Sequence, residues 1–169
     1  MAETGILQQD ARVELIRGEI IEMSPIGSRH QACVDRLNSQ LVQQSGPHAI
    51  VRVQGPIRLG DDSEPQPDIV LLKPRADFYS QSHPTPDDVL LVIEVADTSY
   101  DYDSHIKVPV YAEAGISEVW LVYLMGDCIE VYSQPSNGTY NSRIRFGRGE
   151  FLTPLQLAHV RLSVDSILG

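Results

Sequence analysis

Lysine is almost missing from this chain. Of its 169 residues 13 are basic, yet only Lys73 and Lys107 are lysines; 23 are acidic, and the formal charge is −10. That imbalance argues against a broad basic surface gripping many phosphates, and so against tight nonspecific nucleic-acid binding, which grows with the number of phosphates neutralised. A small local cleft is still allowed, because a bound divalent ion would offset part of the acidity. Cysteine is as scarce: Cys33 and Cys128 stand alone, which suits a reduced cytoplasmic protein rather than a disulfide scaffold. No apolar run reaches membrane-spanning length, Glu94 interrupting the longest, so no membrane partner is expected. The first residues lack the basic patch and apolar segment of a secretion signal. Repeats, heptads and low-complexity tracts are missing as well. What is left, 42% hydrophobic and 21% charged, is ordinary globular material. It is expected to form a single domain over 1–169 with a real core, frayed over 1–10.

The stretch that organises the chain is Val89-Leu90-Leu91-Val92-Ile93-Glu94-Val95-Ala96. Val89, Leu91, Ile93 and Val95 alternate with Leu90, Val92 and Glu94, so both faces of a strand here are apolar except at one carboxylate. Such a strand belongs at the centre of a sheet, covered on both sides. A carboxylate buried there must be hydrogen-bonded, paired or metal-bound, because burying it alone is very costly. A second run, Pro67-Asp68-Ile69-Val70-Leu71-Leu72, also carries one acid at its end.

Around these two strands the chain reads as follows. Val13–Ile16 and Glu19–Met23 flank Arg17-Gly18 as a hairpin. Ser28 is placed to cap a helix over about 29–44, in which Cys33, Leu37 and Leu41 form an apolar stripe with Val34 and Val42 beside it. Ser45-Gly46-Pro47 ends that helix. Ile50–Val53 and Ile57–Leu59 are short strand pieces, and 73–88 is an exposed connector. A second helix is expected over about 104–114, closed by Gly115, with Pro109 marking either its regular start or a bend. Asp101 and Asp103 would solvate the bend before it and favour its N-terminus. Glu118–Leu124 is a third buried strand, reached from Val89–Ala96 through that helix, hence a right-handed crossover and a parallel pair. Residues 128–133 and 140–146, turning at Gly126-Asp127 and Asn137-Gly138, add antiparallel edge strands. The tail supplies a strand-like segment and a short closing helix.

Successive strands usually pair, so the acids at 68 and 94 are expected to meet near strand ends. Two hard oxygen ligands completed by waters suit Mg²⁺ or Mn²⁺ rather than zinc. A lysine beside them would stabilise charge developing on a phosphate or orient a water. Lys107, on the helix after the Glu94 strand, is the candidate. Spacing alone favours a plainer reading, an exposed helix lysine paired to Asp103 one turn back. Trp120 and Tyr123 read as packing. Arg143, Arg145 and Arg148 read as a solvated edge strand, His30 reads as a helix-terminus residue, and His48, His83, His105 and His159 are too dispersed for a zinc site.

Several stretches together carry a resemblance. They are Glu14-Leu15-Ile16-Arg17-Gly18-Glu19-Ile20-Ile21-Glu22-Met23-Ser24-Pro25 with His30 after it, Gln66-Pro67-Asp68-Ile69, Val92-Ile93-Glu94-Val95-Ala96-Asp97-Thr98-Ser99, Tyr102-Asp103, Lys107 with Tyr111-Ala112-Glu113-Ala114-Gly115-Ile116, and Glu118-Val119-Trp120-Leu121-Val122. In that order they resemble the Uma-two family of restriction-endonuclease-like proteins, within the PD-(D/E)xK nuclease superfamily. The resemblance implies an α/β (α+β) fold with a restriction-endonuclease-like core, a mixed central sheet flanked by helices. It implies Mg²⁺- or Mn²⁺-dependent hydrolysis of DNA phosphodiesters, with Asp68 and Glu94 as metal ligands and Lys107 completing the catalytic set. A homodimer is expected, since many nucleases of this fold cut both strands as a pair. One position departs from the superfamily: the usual lysine, two residues after the acid, is Ala96 here, so Lys107 would be a migrated substitute. An additional acid often comes from the first helix, which offers only Asp35; Glu19 or His30 would stand in. The alternative is a catalytically inactive module of the same fold that binds DNA or a protein partner.

Overall fold

The computed structural model describes residues 12–169; the fraying expected over 1–10 falls outside them. Six strands form the central sheet in the order β3 (Ile50–Val53), β4 (Ile69–Leu72), β5 (Val89–Ala96), β6 (Glu118–Tyr123), β7 (Cys128–Ser136) and β8 (Thr139–Gly147). Only β5 and β6 run parallel; the other neighbours are antiparallel. The sheet is therefore mixed, with the expected central strand near its middle. Two-residue periodicity sorts the core. Ile69, Leu71, Leu91, Ile93 and Val95 pack with Cys33, Val34, Leu37 and Leu41 of α1 (Ser28–Ser45), together with residues of the C-terminal segment. Val70, Leu72, Val92 and Ala96 pack on the opposite face with Val108 and Tyr111. Every residue of β5 is buried. Glu94 therefore faces the second layer, with Tyr111 and Lys107, rather than α1. Leu91 is fully buried on the α1 face, and truncating it leaves a cavity that neighbours fill only in part. Leu91→Ala is expected to lower unfolding free energy by about 2–5 kcal/mol, read from urea denaturation; an effect within experimental error would mean that this face is not packed.

The crossover from β5 to β6 differs instructively from the sequence expectation. It begins earlier, as α2 (Tyr100–Tyr102), widens into a π-helical turn over Asp103–Lys107, and becomes regular in α3 (Val108–Glu113). Pro109 explains the widening. It has no N–H to donate to the carbonyl four residues back, and just before it the Val108 N–H reaches the Asp103 carbonyl, five residues back. π turns of this kind recur at functional sites. Here the turn carries both Asp103 and Lys107 inward, and both are buried. Asp103 therefore does not solvate the bend.

The remaining elements surround this frame. β1 (Val13–Ile16) and β2 (Glu19–Glu22) form a separate hairpin, attached to the rest by a bridge between Leu15 and Glu64. Arg17 and Gly18 both have positive φ, 49° and 81°, the conformation that a tight two-residue hairpin turn requires. α1 starts at Ser28, but Ser28 does not cap it: the cap position is Gly27, with no side-chain bond. Ile57–Leu59 is not a strand. Its N–H groups at 57 and 59 bond to the carbonyls of Pro65 and Ser63, so this piece closes its own loop instead of joining the sheet. β9 (Phe151–Leu152) pairs with β10 (Leu162–Ser163), and α4 (Val164–Leu168) follows. Among the described residues β8 is an edge strand, and its arginines are satisfied locally: Arg143 by Glu130, with Arg148 just beyond by Asp127 and Asp165. Both cysteines are buried and free. No helix among the described residues is long and apolar enough to cross a membrane.

Candidate active site

The β1–β2 hairpin, the start of α1, the ends of β4 and β5 and the π turn enclose a cleft of about 590 Å³. Asp68, Glu94 and Lys107, the three residues singled out in the sequence, all line it. Asp68 sits one residue before β4 and Glu94 lies in β5; because the two strands pair with Ile69 opposite Ile93, both acids fall at the same end of the sheet. Lys107 arrives from the π turn.

Each carboxylate is held by one oxygen. Asp68 Oδ2 accepts the Val95 N–H at 2.9 Å and lies 3.0 Å from His30 Nε2. Glu94 Oε1 accepts the Tyr111 hydroxyl at 2.5 Å and pairs with Lys107 Nζ at 2.6 Å. Lys107 is not an exposed helix lysine: its side chain is 4% exposed, and its second carboxylate partner is Glu14 at 3.1 Å. Glu14 is fixed in turn by the Gln66 N–H and the Tyr102 hydroxyl, both at 3.3 Å. Asp103 accepts from the Ser99 hydroxyl. Of the two possible stand-ins for an additional acid, His30 reaches the site, while Glu19 is exposed on β2. The acid found beside Lys107 is Glu14. Its signal was in the sequence: in Val13-Glu14-Leu15-Ile16, the two-residue period puts Glu14 on the same face as buried Ile16.

The electrostatics follow from crowding. Glu14, Asp68, Glu94 and Asp103 share one cleft with a single ammonium. Burial pushes the Glu94 pKa up to about 8; Lys107 pulls it down, and the charges of Asp103, Asp68 and Glu14 raise it further. Burial raises Asp103 as well. For Lys107 burial alone would favour the neutral amine, but Glu94, Glu14 and Asp103 outweigh it and hold the ammonium well above its ordinary pKa. His30 also rises: desolvation lowers its pKa, and the bond and charge of Asp68 more than restore it. Its Nδ1 is buried with no hydrogen-bond partner among the described residues.

Among the described residues no group of three or more His, Cys, Asp or Glu side chains is arranged to hold a metal ion. The donors present nevertheless fit Mg²⁺ or Mn²⁺, which need only one or two carboxylates and keep several waters. The bonds above engage Asp68 Oδ2 and Glu94 Oε1, leaving the other oxygen of each acid for a ligand. An anion-rich cleft with one ammonium is also short of positive charge.

The chain is thus an α/β protein with a mixed sheet, a helix layer on each face, and an acid pair and a lysine at one end of the sheet. More particularly, residues 2–165 match the Uma2 family, described as "Putative restriction endonuclease", and the chain belongs to that family. No curated protein matches the chain. Among solved structures it is similar to a protein described as a "putative nuclease belonging to DUF820" from Anabaena variabilis, at 15% identity and a TM-score of 0.76, over 98% of this chain and 94% of the other. At that identity the likeness concerns the fold.

Proposed function

We propose that this protein is a divalent-metal-dependent endonuclease that hydrolyses DNA phosphodiester bonds. The observation that carries this reading is the meeting of Asp68, Glu94 and Lys107 in one solvent-reachable cleft. Asp68 and Glu94 would hold Mg²⁺ or Mn²⁺. Bound there, the ion would lower the pKa of a coordinated water and bear charge on the phosphate. The chain does the rest. The Val95 N–H and His30 fix the orientation of Asp68, and Tyr111 fixes Glu94. Lys107, charged at neutral pH, faces the cleft as a donor to an incoming phosphate oxygen, and Glu14 holds it in place. Partners of metal ligands typically matter 10–100-fold, so loss of a ligand itself should exceed that.

Supercoiled plasmid, whose torsional stress opens short unpaired stretches, is expected on incubation with Mn²⁺ to be nicked by the wild-type protein and left intact, to within about a hundredth of that rate, by Asp68→Ala and Glu94→Ala. Full activity in either variant would remove the carboxylate from the mechanism. A cleft poor in cations also suits the second reading, a catalytically silent module that binds DNA or a protein. Metal titration separates the two: a thermal shift with Mn²⁺ that disappears in Glu94→Ala favours the enzyme, and no shift favours the module. A homodimer is the expected assembly, and sedimentation of the free protein reads it.

A further inference from the structure

Resting on the nuclease reading, we infer that the strand this cleft accepts is unpaired DNA rather than the side of an intact duplex. Three observations point there. The first is recess. The side chains of Glu94, Lys107 and Glu14 are each 4% exposed, and that of Asp68 is 12% exposed. The cleft above them, about 590 Å³, is the scale of a small-molecule site (roughly 300–1,000 Å³), not of a trough that seats a double helix. A duplex presents its phosphates on a convex wall, so a phosphate reaches so recessed a floor only when its strand leaves that wall.

The second observation is charge. Duplex binders that grip through the backbone neutralise many phosphates and lose affinity steeply with salt. The charged side chains lining this cleft are Arg12 and Lys107, with His30, against six carboxylates. Of these, Glu22 and Asp97 make no ion pair with Lys107, so they add charge that repels phosphate, and a duplex brings more phosphates to the cleft than a single strand does. The third observation is apolar surface. Ile21, Met23, Pro25 and Ile26 line the cleft from the end of β2 and the loop after it. Stacked bases in a duplex hide their faces from such a wall; an unpaired nucleotide can lay its base against it while its phosphate meets the floor.

The test uses the full chain and one fluorescein-labelled deoxyoligonucleotide, single-stranded or annealed to its complement. Cleavage is followed with Mn²⁺ and binding by anisotropy with Ca²⁺. The single strand is expected to be cut at least tenfold faster than the duplex, roughly the discrimination of a single lost contact, and to be bound with a shallow salt dependence. Met23→Ser, which removes apolar surface from this wall without adding a charge, is expected to raise KM for the single strand several-fold. Duplex cut as fast as single strand, or faster, would overturn the inference. If neither is cut, the nuclease reading fails on its own account and binding decides: tighter binding of the single strand supports the inference, and equal, duplex-favoured or undetectable binding overturns it.

Discussion

Lys107→Met is expected to abolish metal-dependent cleavage and to destabilise the fold by about 3–5 kcal/mol above pH 8, where Glu94 is ionised beside it, the usual cost of removing one partner from a buried ion pair. Methionine keeps most of the apolar stem, so packing between the π turn and the sheet changes little. What disappears is the one ammonium between Glu94 and Glu14, 2.6 Å and 3.1 Å away. Without it Glu94 is left with burial and three neighbouring acids, all of which favour the protonated form. The loss should shrink as pH falls and these carboxylates take up protons. Lys107→Arg sharpens the experiment. It retains a positive charge, so it should recover part of the stability, but a planar guanidinium cannot take the place of a compact ammonium in a cleft shaped around one, and cleavage should stay lost. Urea unfolding and plasmid nicking on the same preparations read both effects. A methionine variant that unfolds like wild type and still nicks would show that Lys107 is neither a structural nor a chemical partner of the acids.

The lysine also shows how much of this site was legible in advance. Periodicity placed Glu94 in a buried strand, and adjacency of successive strands put Asp68 beside it; both rest on local pattern and on the tendency of neighbouring strands to pair. The same reasoning found the hairpin, the long helix and the parallel crossover. Lys107 was reachable only through the family resemblance, because its partners are not local. Spacing offered Asp103 one turn away, whereas the structure pairs it with Glu14 and Glu94, far apart in sequence. The π turn escaped for a related reason: Pro109 was visible, but whether the chain would start a helix there, bend it or widen it depends on what Asp103 and Lys107 gain by facing inward. Glu14 was the avoidable miss. Its place on the buried face of β1 follows from alternation alone, yet a hairpin of four-residue strands reads as a surface ornament until the rest of the fold leans on it.

Glu94→Gln is expected to be dead as a nuclease and, without metal, more stable than the wild-type protein in alkali. The folded Glu94 carboxyl has its pKa raised from 4.5 to about 8, first by burial and then by the acids around it against the pull of Lys107. Between those two values the folded state keeps a proton that the unfolded chain has already lost. Unfolding then releases a proton, so stability falls as pH rises through this window and levels off above it. The most this group could cost above pH 8 is roughly 3–5 kcal/mol, a figure that already includes the pull of Lys107. Glutamine removes the titration but keeps an amide oxygen for Tyr111 and Lys107. The variant should therefore unfold at a higher denaturant concentration than wild type in alkaline buffer without metal, and the gap should close toward about pH 4–5, where both chains are neutral at this position. Adding Mn²⁺ should reverse the order, because the wild-type carboxylate gains a ligand that discharges its cost and the glutamine does not. Parallel stability–pH curves for the two proteins, or an equal response of both to Mn²⁺, would mean that Glu94 is an ordinary satisfied core acid. The position would then serve packing alone, and the carboxyl buried near the end of β5 would have no metal to explain it.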